Sequence, residues 1–336
     1  MNLEAYKRSL AQRVSLNRQI LQNKYWFLPV DNKGHEDFVP VGRGVKTSDW
    51  CGKFRGLMVC KNVDAHKGVV VNGVDCSNKV AVRLQHFWCK NSSCPVCFIR
   101  GWSVRGAKFI ENRLKEGVKR GLGKIEHIII SVPKADYDLP EYVLRKKCRE
   151  FLKACGVVGG CMIFHGFRID RERGCLKWSP HYHVLGFVLG GYDRCRHCRG
   201  GDCYACDGVL GKCYRLYRES GYIIRVLSER KTVFGTAWYQ LNHATIRVGL
   251  KRFHTVTWFG VCGYNNFKRE RVSIEVAVVP CPICGGEMVR CFHVGKRFIP
   301  KNVGHKDYEV WFVDDEFDED GKPNYVEVVG GRGFGG

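Results

Sequence analysis

Residues 178–187 have the sequence WSPHYHVLGF, which places His181 and His183 two positions apart, directly before an apolar run from Val184 to Leu189. The run is typical of a β-strand, and Pro180 suits the first position of such a strand. Alternate residues of a strand point to the same face, so the two imidazoles would lie side by side and could bind one metal ion. The alternative is a strand edge with two incidental histidines, because a motif this short has a high false-positive rate.

The sequence around this stretch predicts an antiparallel sheet. Residues 126–133 and 160–169 favour strands, and the polar segment 170–175 is short enough to join the second of them to the histidine strand as a hairpin. His165 would then lie on the strand next to His181 and His183 and is a candidate third ligand. It could equally be a core or loop residue, because strand register is not readable from the sequence.

Charge is distributed unevenly along the 336 residues, which carry a formal net charge of +22. Residues 306–336 have nine acidic and three basic side chains, so the rest of the chain carries +28. A body this basic predicts a polyanionic partner, most simply nucleic acid, with an anionic membrane surface as the alternative. No apolar run reaches 18 residues and the N-terminus lacks the apolar segment of a signal peptide, so we expect no membrane span and a cytoplasmic location.

The 19 cysteines are grouped at spacings that favour zinc over disulfides. A disulfide-rich intracellular protein of a hyperthermophile is the known exception. The first group is Cys89, Cys94 and Cys97; its preferred fourth ligand is Cys60, with Cys51, Cys76 and His86 as alternatives. The second group is Cys195, Cys198, Cys203 and Cys206, and the third is Cys281 and Cys284, completed by Cys291 or His293.

A basic helix is predicted after Cys97, over about residues 98–122, with an apolar stripe on one side. Its cations either follow a phosphate backbone or form a solvated face. The candidate DNA-binding residues are Arg100, Arg105, Lys108, Lys119 and Arg120, together with Arg168. A second helix is predicted around residues 235–244, where Tyr239 and His243 are four positions apart and therefore on one face; ordinary packing is the alternative for Tyr239.

The order of these elements resembles the HUH nucleases, specifically the rolling-circle replication initiators, and most closely those of archaeal plasmids and viruses. The His181-Tyr-His183 motif, the preceding strand Ile128-Ile-Ile-Ser131 and the position of Tyr239 carry the resemblance. It implies an α+β fold with a central antiparallel sheet, flanking helices and a ferredoxin- or RRM-like core. Zinc-knuckle modules would lie before, within and after that core.

The resulting division of the chain has four segments. Residues 1–123 form an N-terminal helical and zinc-binding region, and residues 124–270 form the nuclease domain with a zinc-knuckle insertion at 193–213. Residues 271–305 form a C-terminal zinc ribbon, and residues 306–336 form an acidic tail that we expect to be disordered.

The resemblance implies a site- and strand-specific endonuclease and strand transferase for single-stranded DNA. Tyr239 would form a 5′-phosphotyrosine, assisted by His243, and His181, His183 and the inferred His165 would hold Mg²⁺ or Mn²⁺, with Glu126 as the reserve ligand. Two features depart from the family: Asn242 replaces a lysine common three residues after the tyrosine, and the motif has a single tyrosine.

Partners follow from the same resemblance: an origin hairpin in single-stranded DNA, and a host helicase and polymerase, since the chain has no Walker-type phosphate loop. An oligomer is possible. The alternatives are an HUH transposase or relaxase, and a non-enzymatic zinc-ribbon DNA-binding regulator. The acidic tail could also fold over the basic body and restrain DNA binding.

Overall fold

The computed structural model describes residues 28–44, 48–52, 54–71, 73–188, 219–227, 232–249, 253–266, 280–295, 301–302 and 311–328. Residues 1–27 of the predicted N-terminal helical region, and the whole predicted cluster of Cys195, Cys198, Cys203 and Cys206, lie outside these residues.

The elements alternate between strands and a few helices. Among the described residues, the helices are α1 (Val104–Lys119), α2 (Glu141–Ala154) and α3 (Val233–Asn242), with a π-helical turn at Phe98–Ser103 and 3₁₀ turns at Asp64–His66 and Lys134–Asp136. The strands are β1 (Val30–Asp31), β2 (Phe38–Pro40), β3 (Phe54–Cys60), β4 (Val70–Val71), β5 (Val74–Asp75), β6 (Lys79–His86), β7 (Ile125–Ser131), β8 (Val157–Asp170), β9 (Cys175–Val188), β10 (Ile223–Leu227), β11 (Thr245–Arg247), β12 (Val256–Gly260), β13 (Met288–His293), β14 (Lys301–Asn302), β15 (Trp311–Asp315) and β16 (Tyr325–Glu327).

The chain forms two compact units, each built from two separated parts of the sequence. The first unit comprises Met1–Asp49 and Cys89–Glu270, and the second comprises Trp50–Trp88 and Arg271–Gly336. Residues 50–88, which the sequence-based division placed with the N-terminal region, thus belong with the C-terminal part. This grouping depends on contacts between segments that are distant in the sequence, and such contacts cannot be predicted from the composition along the chain.

The first unit contains a mainly antiparallel sheet in the order β10-β7-β9-β8-β12. Strands β8 and β9 are joined as the predicted hairpin and pair antiparallel along most of their length, with His165 opposite His181. β7 pairs antiparallel with the other side of β9, where Ser131 is opposite His181. The short β1 adds a parallel pairing to β9. The histidine strand therefore lies in the interior of the sheet.

One face of this sheet forms the main hydrophobic core. Ile128 and Ile130 of β7, Phe164 of β8 and Val184 of β9 are buried there, together with Leu144 of α2. Because strand residues alternate between faces, the neighbouring His127, His165 and His183 point to the opposite face. Helices α1 and α3 lie on that opposite side, as close approaches of Gly117 to Phe187 and of Gly106 to Leu241 show.

The second unit contains an antiparallel sheet in the order β14-β15-β6-β3-β13-β16. Its core is formed by Leu57 and Val59 of β3, Val80 and Val82 of β6, and Cys291 of β13. Strands β15 and β16 lie within the acidic stretch 306–336, so part of that stretch is ordered where its composition predicted disorder. Strand pairing supplies the reason: Phe312 of β15 pairs with Val82 of β6, and Val326 of β16 pairs with Phe292 of β13.

The fold is α+β with antiparallel sheets, as predicted, and the described residues contain few helices. Within the described ranges, no helix has the length and apolar character needed to cross a membrane.

Candidate metal and tyrosine site

Three histidines come together on the α1/α3 face of the first sheet. His165, His181 and His183 each offer one ring nitrogen, and these three atoms lie within 4.8 Å of one another. All three side chains are buried, and their ring centroids are separated by 4.6 to 5.4 Å. The register places His165 in this group, which the sequence could only suggest. We call these residues the histidine triad.

Hydrogen bonds orient each ring of the triad so that one nitrogen remains available. His181 Nδ1–H donates to the carbonyl of Ser179 at 2.8 Å. His183 Nδ1 lies 3.0 Å from His127 Nε2, and a bond donated by His183 would leave its own Nε2 as a lone pair. His165 Nε2 is buried and has no hydrogen-bond partner among the described residues. One engaged and one available nitrogen is the form in which histidine binds a metal.

The electrostatics of the triad keep the rings neutral. Burial, followed by repulsion from neighbouring imidazoles, lowers the pKa of His165, His181 and His183 well below the ordinary value of 6.5. His243 contributes to this effect at His165 and His183, and Arg168 contributes at His181. At neutral pH each ring therefore has a lone pair for a ligand, because the protonated form would bury charge beside charge.

Helix α3 brings the candidate nucleophile to the same face. The helix begins after Thr232, whose Oγ1 accepts a hydrogen bond from the Gly235 amide at 2.9 Å. Tyr239 is 38 % exposed, and its ring centroid lies 4.5 Å from that of His243. His243 Nδ1–H donates to the Tyr239 carbonyl at 2.8 Å, which leaves its Nε2 as an acceptor. Tyr239 and His243 thus lie on one helix face, as predicted. His243 is also close enough to the triad to lower the pKa of His165 and His183.

A connection between α3 and the triad runs through two residues that the sequence did not single out. Gln240, which follows Tyr239, places its Nε2 3.4 Å from His127 Nε2, and a backbone hydrogen bond at Gln240 also acts on His165. His127 in turn contacts His183. The sequence did contain a signal for His127. Because side chains alternate along a strand, His127 and its neighbour Glu126 point to opposite faces, and the face of His127 is the one that carries the histidines.

The reserve ligand Glu126 is not part of the site. It precedes His127 on β7 and therefore points to the other face, where its carboxylate lies 3.4 Å from Lys124 Nζ. The described residues hold no carboxylate within the triad's group of candidate ligands.

The candidate DNA-binding residues are distributed between the site and α1. Arg168 lies at the site, because its Nε is 3.5 Å from His181 Nδ1 and its Nη2 donates to Ser131 Oγ at 2.6 Å. Four others are exposed on α1 or at its end, where Arg120 forms an ion pair with Glu116, and Arg100 is half-buried in the π-helical turn. The exposed set is Arg105, Lys108, Lys119 and Arg120.

Cysteine clusters that could hold a metal such as zinc lie in both units. In the first unit, the sulfurs of Cys89, Cys94 and Cys97 lie within 4.8 Å of one another, and the Cys89–Cys97 separation is 3.4 Å. This confirms that the residues of the first predicted group are close in space. Cys60 does not complete this group, contrary to the preferred prediction, because it belongs to another cluster.

In the second unit, Cys60, His66, Cys281 and Cys284 form one four-ligand group with all ligand atoms within 4.8 Å. Cys60 Sγ lies 3.6 Å from Cys284 Sγ, and Cys281 Sγ lies 3.3 Å from His66 Nε2. His66 Nδ1–H donates to the Lys79 carbonyl at 2.7 Å, which presents Nε2 to the sulfurs. Pairing of β3 with β13 brings the two halves together.

Neither Cys291 nor His293 completes the third predicted group. Cys291 is part of the hydrophobic core of the second unit, and the His293 ring lies 5.2 Å from the ring of Tyr325. Sequence reasoning missed His66 because it belongs to no Cys-x-x-Cys pair and reaches Cys281 through the tertiary fold.

No family model, curated protein or solved structure matches this chain. The resemblance to HUH nucleases therefore remains an expectation from the motif residues of the sequence.

Proposed function

We propose that the protein is a metal-dependent endonuclease and strand transferase for single-stranded DNA, of the HUH type found in rolling-circle replication initiators. The observation that supports this most directly is the convergence of the histidine triad and the Tyr239 helix on one face of an antiparallel sheet. In this proposal the first unit has the ferredoxin- or RRM-like HUH core, and the cysteine clusters are zinc-knuckle modules.

The residues of the triad fit a divalent cation. They are neutral, their ligand atoms are close together, and the Nε2 of His165 is buried without a partner among the described residues. Three nitrogen donors without a carboxylate suit a transition metal better than Mg²⁺, which prefers oxygen ligands. Of the two ions used in the family, Mn²⁺ is therefore the better expectation. When bound, the ion would polarise the scissile phosphate and neutralise developing negative charge.

Tyr239 is the proposed nucleophile. Its phenolic oxygen forms a bond to phosphorus while the bond from phosphorus to the 3′ oxygen breaks, which gives a 5′-phosphotyrosine and a free 3′-OH. A phenol has a pKa near 10 and needs assistance at neutral pH. His243 can accept the phenolic proton at Nε2, because its Nδ1–H is held by the Tyr239 carbonyl. A proton from this histidine or from water then completes the 3′-OH.

The products fit an initiator. The phosphotyrosine conserves the free energy of the broken phosphodiester bond, so the same site can rejoin DNA strands. The free 3′-OH can prime DNA synthesis by a host polymerase, with a host helicase unwinding the duplex. Arg168, which lies beside His181, is placed to contact a phosphate near the site, and the exposed cations of α1 extend the positive surface. An origin hairpin is the proposed substrate, and oligomer formation is compatible with this proposal.

The test is a denaturing gel of protein and labelled single-stranded oligonucleotides from the protein's own replicon, with Mn²⁺ or with EDTA. Wild type should form a covalent adduct only with the metal, and Tyr239→Phe should form none while still binding DNA. Tyr142→Phe is the matched control, because Tyr142 is 73 % exposed on α2, on the opposite side of the sheet. An adduct formed by Tyr239→Phe would disprove the assignment of the nucleophile.

A second candidate is a zinc-dependent DNA-binding regulator without enzymatic activity. The four-ligand group of Cys60, His66, Cys281 and Cys284 favours it, since such a group can stabilise a small binding module. This candidate predicts DNA binding without any adduct, and no effect of His181→Ala on DNA processing. A transposase or relaxase would share the adduct chemistry and would differ in the DNA sites that it joins.

A further inference from the structure

A cavity of about 240 Å³ lies in the first unit, beside the edge strand β12. Five aromatic side chains line it, and Leu241 of α3 also contributes. The aromatic residues are Trp102, Phe109, Phe253, Trp258 and Tyr264. The residues discussed above for metal binding and nucleophilic attack do not line it.

The cavity lies on the same sheet face as the histidine triad. Trp258 of β12 is paired with Cys161 of β8, and paired residues of neighbouring strands point to the same side. Cys161 and His165 are four positions apart on β8, so both side chains belong to the α1/α3 face. Leu241 belongs to α3, the helix that carries Tyr239, although residues two positions apart on a helix point to different sides. Because the cavity, the triad and α3 share this side of the sheet, a single strand of DNA that reaches Tyr239 could continue to this cavity.

The aromatic rings at its mouth are exposed and held in position. Phe109 is 42 % exposed and Tyr264 is 54 % exposed, whereas Trp258 is buried and meets Phe109 edge to face at 6.0 Å. The guanidinium of Arg113 lies 4.8 Å from the centroid of Trp258 and 5.1 Å from that of Tyr264. Arg113 also donates hydrogen bonds to the carbonyls of Cys262 and Gly263, which fixes the loop that carries Tyr264.

Charge and polarity at the cavity favour a nucleic acid over an apolar peptide. Arg105 and Lys108 are exposed on α1, within one turn of Phe109, and can meet the phosphates on either side of a bound nucleotide. Ser92, His254 and Thr255 add hydrogen-bonding groups to an otherwise apolar lining. Aromatic rings accept any base by stacking, and polar groups at the rim can then read its edge.

We propose that this cavity binds one unpaired base of the single-stranded DNA substrate, stacked against Tyr264 and Phe109. The proposal rests on the proposed function for the identity of the substrate, and it adds a site at which DNA is held in register with Tyr239. It concerns binding alone, so it is tested without the cleavage reaction.

The experiment is a scan with abasic sites. A set of single-stranded oligonucleotides from the replicon, each lacking the base at one position, is titrated against wild type, Tyr264→Ala and Tyr264→Phe in EDTA, and binding is measured by fluorescence anisotropy. Wild type should lose about 5- to 150-fold in affinity at one position, which is the range for one base stacked on an aromatic side chain. Tyr264→Ala should bind the complete oligonucleotide more weakly and lose this dependence on position. Tyr264→Phe, which keeps the ring, should retain it.

Other outcomes would overturn the proposal. These are equal losses at every position in wild type, no measurable binding of the complete oligonucleotide, or an unchanged position dependence in Tyr264→Ala. Because Tyr264 is exposed, its truncation should lower the melting temperature only by the small loss of its contact with Arg113, and this is checked for each variant. Failure of the proposed function appears separately, as the absence of a Tyr239-dependent adduct with Mn²⁺ on oligonucleotides that still show the base-dependent binding.

Discussion

Replacement of His127 by Phe should weaken metal binding at the histidine triad without removing a ligand. In the structure His127 Nε2 lies 3.0 Å from His183 Nδ1, and both side chains are buried. Phe keeps a ring of similar size but cannot accept the hydrogen bond. The Nδ1–H of His183 would then be buried without a partner, and the ring would lose the contact that fixes its tautomer and orientation.

The size of the effect follows from that one bond. A buried donor left without its partner costs about 1–3 kcal/mol. Loss of an outer hydrogen bond to a metal-binding histidine typically weakens the metal site by about 10- to 100-fold, or about 1.4–2.7 kcal/mol. The two ranges agree, so we expect the dissociation constant for Mn²⁺ to rise by roughly one to two orders of magnitude.

The assay is a calorimetric titration of Mn²⁺ into metal-free protein, followed by adduct formation at increasing Mn²⁺. Saturating Mn²⁺ should restore most of the adduct yield in His127→Phe, because the nucleophile and the ligands are intact. His127→Gln, whose side-chain oxygen can accept the same bond, should recover part of the affinity.

Glu126→Gln is the matched control, since Glu126 is the adjacent buried residue of β7 and points to the other face. Equal Mn²⁺ affinities of His127→Phe and Glu126→Gln would refute the assigned role of His127. A loss of adduct in His127→Phe that persists at saturating Mn²⁺ would refute it as well.

Three further predictions concern stability and zinc. His66→Ala should reduce the bound zinc by one ion per chain, measured by mass spectrometry of the metal content, and lower the melting temperature; unchanged zinc would remove His66 from the cluster. Metal-free protein should lose stability as the pH falls below 6.5, the ordinary pKa of histidine, by up to about 1.4 kcal/mol per pH unit for each triad histidine. Stability falls with pH because the histidines of the unfolded chain bind protons in this range, whereas the buried rings, whose pKa values are lowered, do not. A melting temperature independent of pH between 7.5 and 5.5 would contradict this prediction. Gly160→Ala should destabilise the fold by about 1–3 kcal/mol or more in chemical denaturation, because an added Cβ would lie 2.3 Å from the Leu185 carbonyl oxygen on the adjacent strand. Stability equal to wild type would show that the hairpin shifts at little cost.

The local elements were largely accessible from the sequence. The histidine strand, its hairpin partner and the helix carrying Tyr239 follow from apolar periodicity and turn residues, which depend on neighbours only a few positions away. The Cys89-Cys94-Cys97 group was predictable for the same reason, because its ligands are separated by a single turn. The expected disorder of the acidic stretch was wrong for β15 and β16, since backbone pairing with neighbouring strands of the sheet orders both segments.

The amino-acid sequence by itself determined that His181 and His183 share a face, because the two-residue period of a strand is a steric property of the backbone. Only the tertiary structure decided that His165 and His127 join them, since register depends on how whole strands pack. The same holds for Cys60 and His66, which reach Cys281 and Cys284 only because β3 pairs with β13. These contacts form because the complete sheet buries its apolar surface against helices and loops from distant parts of the chain. A short stretch of sequence therefore cannot predict them.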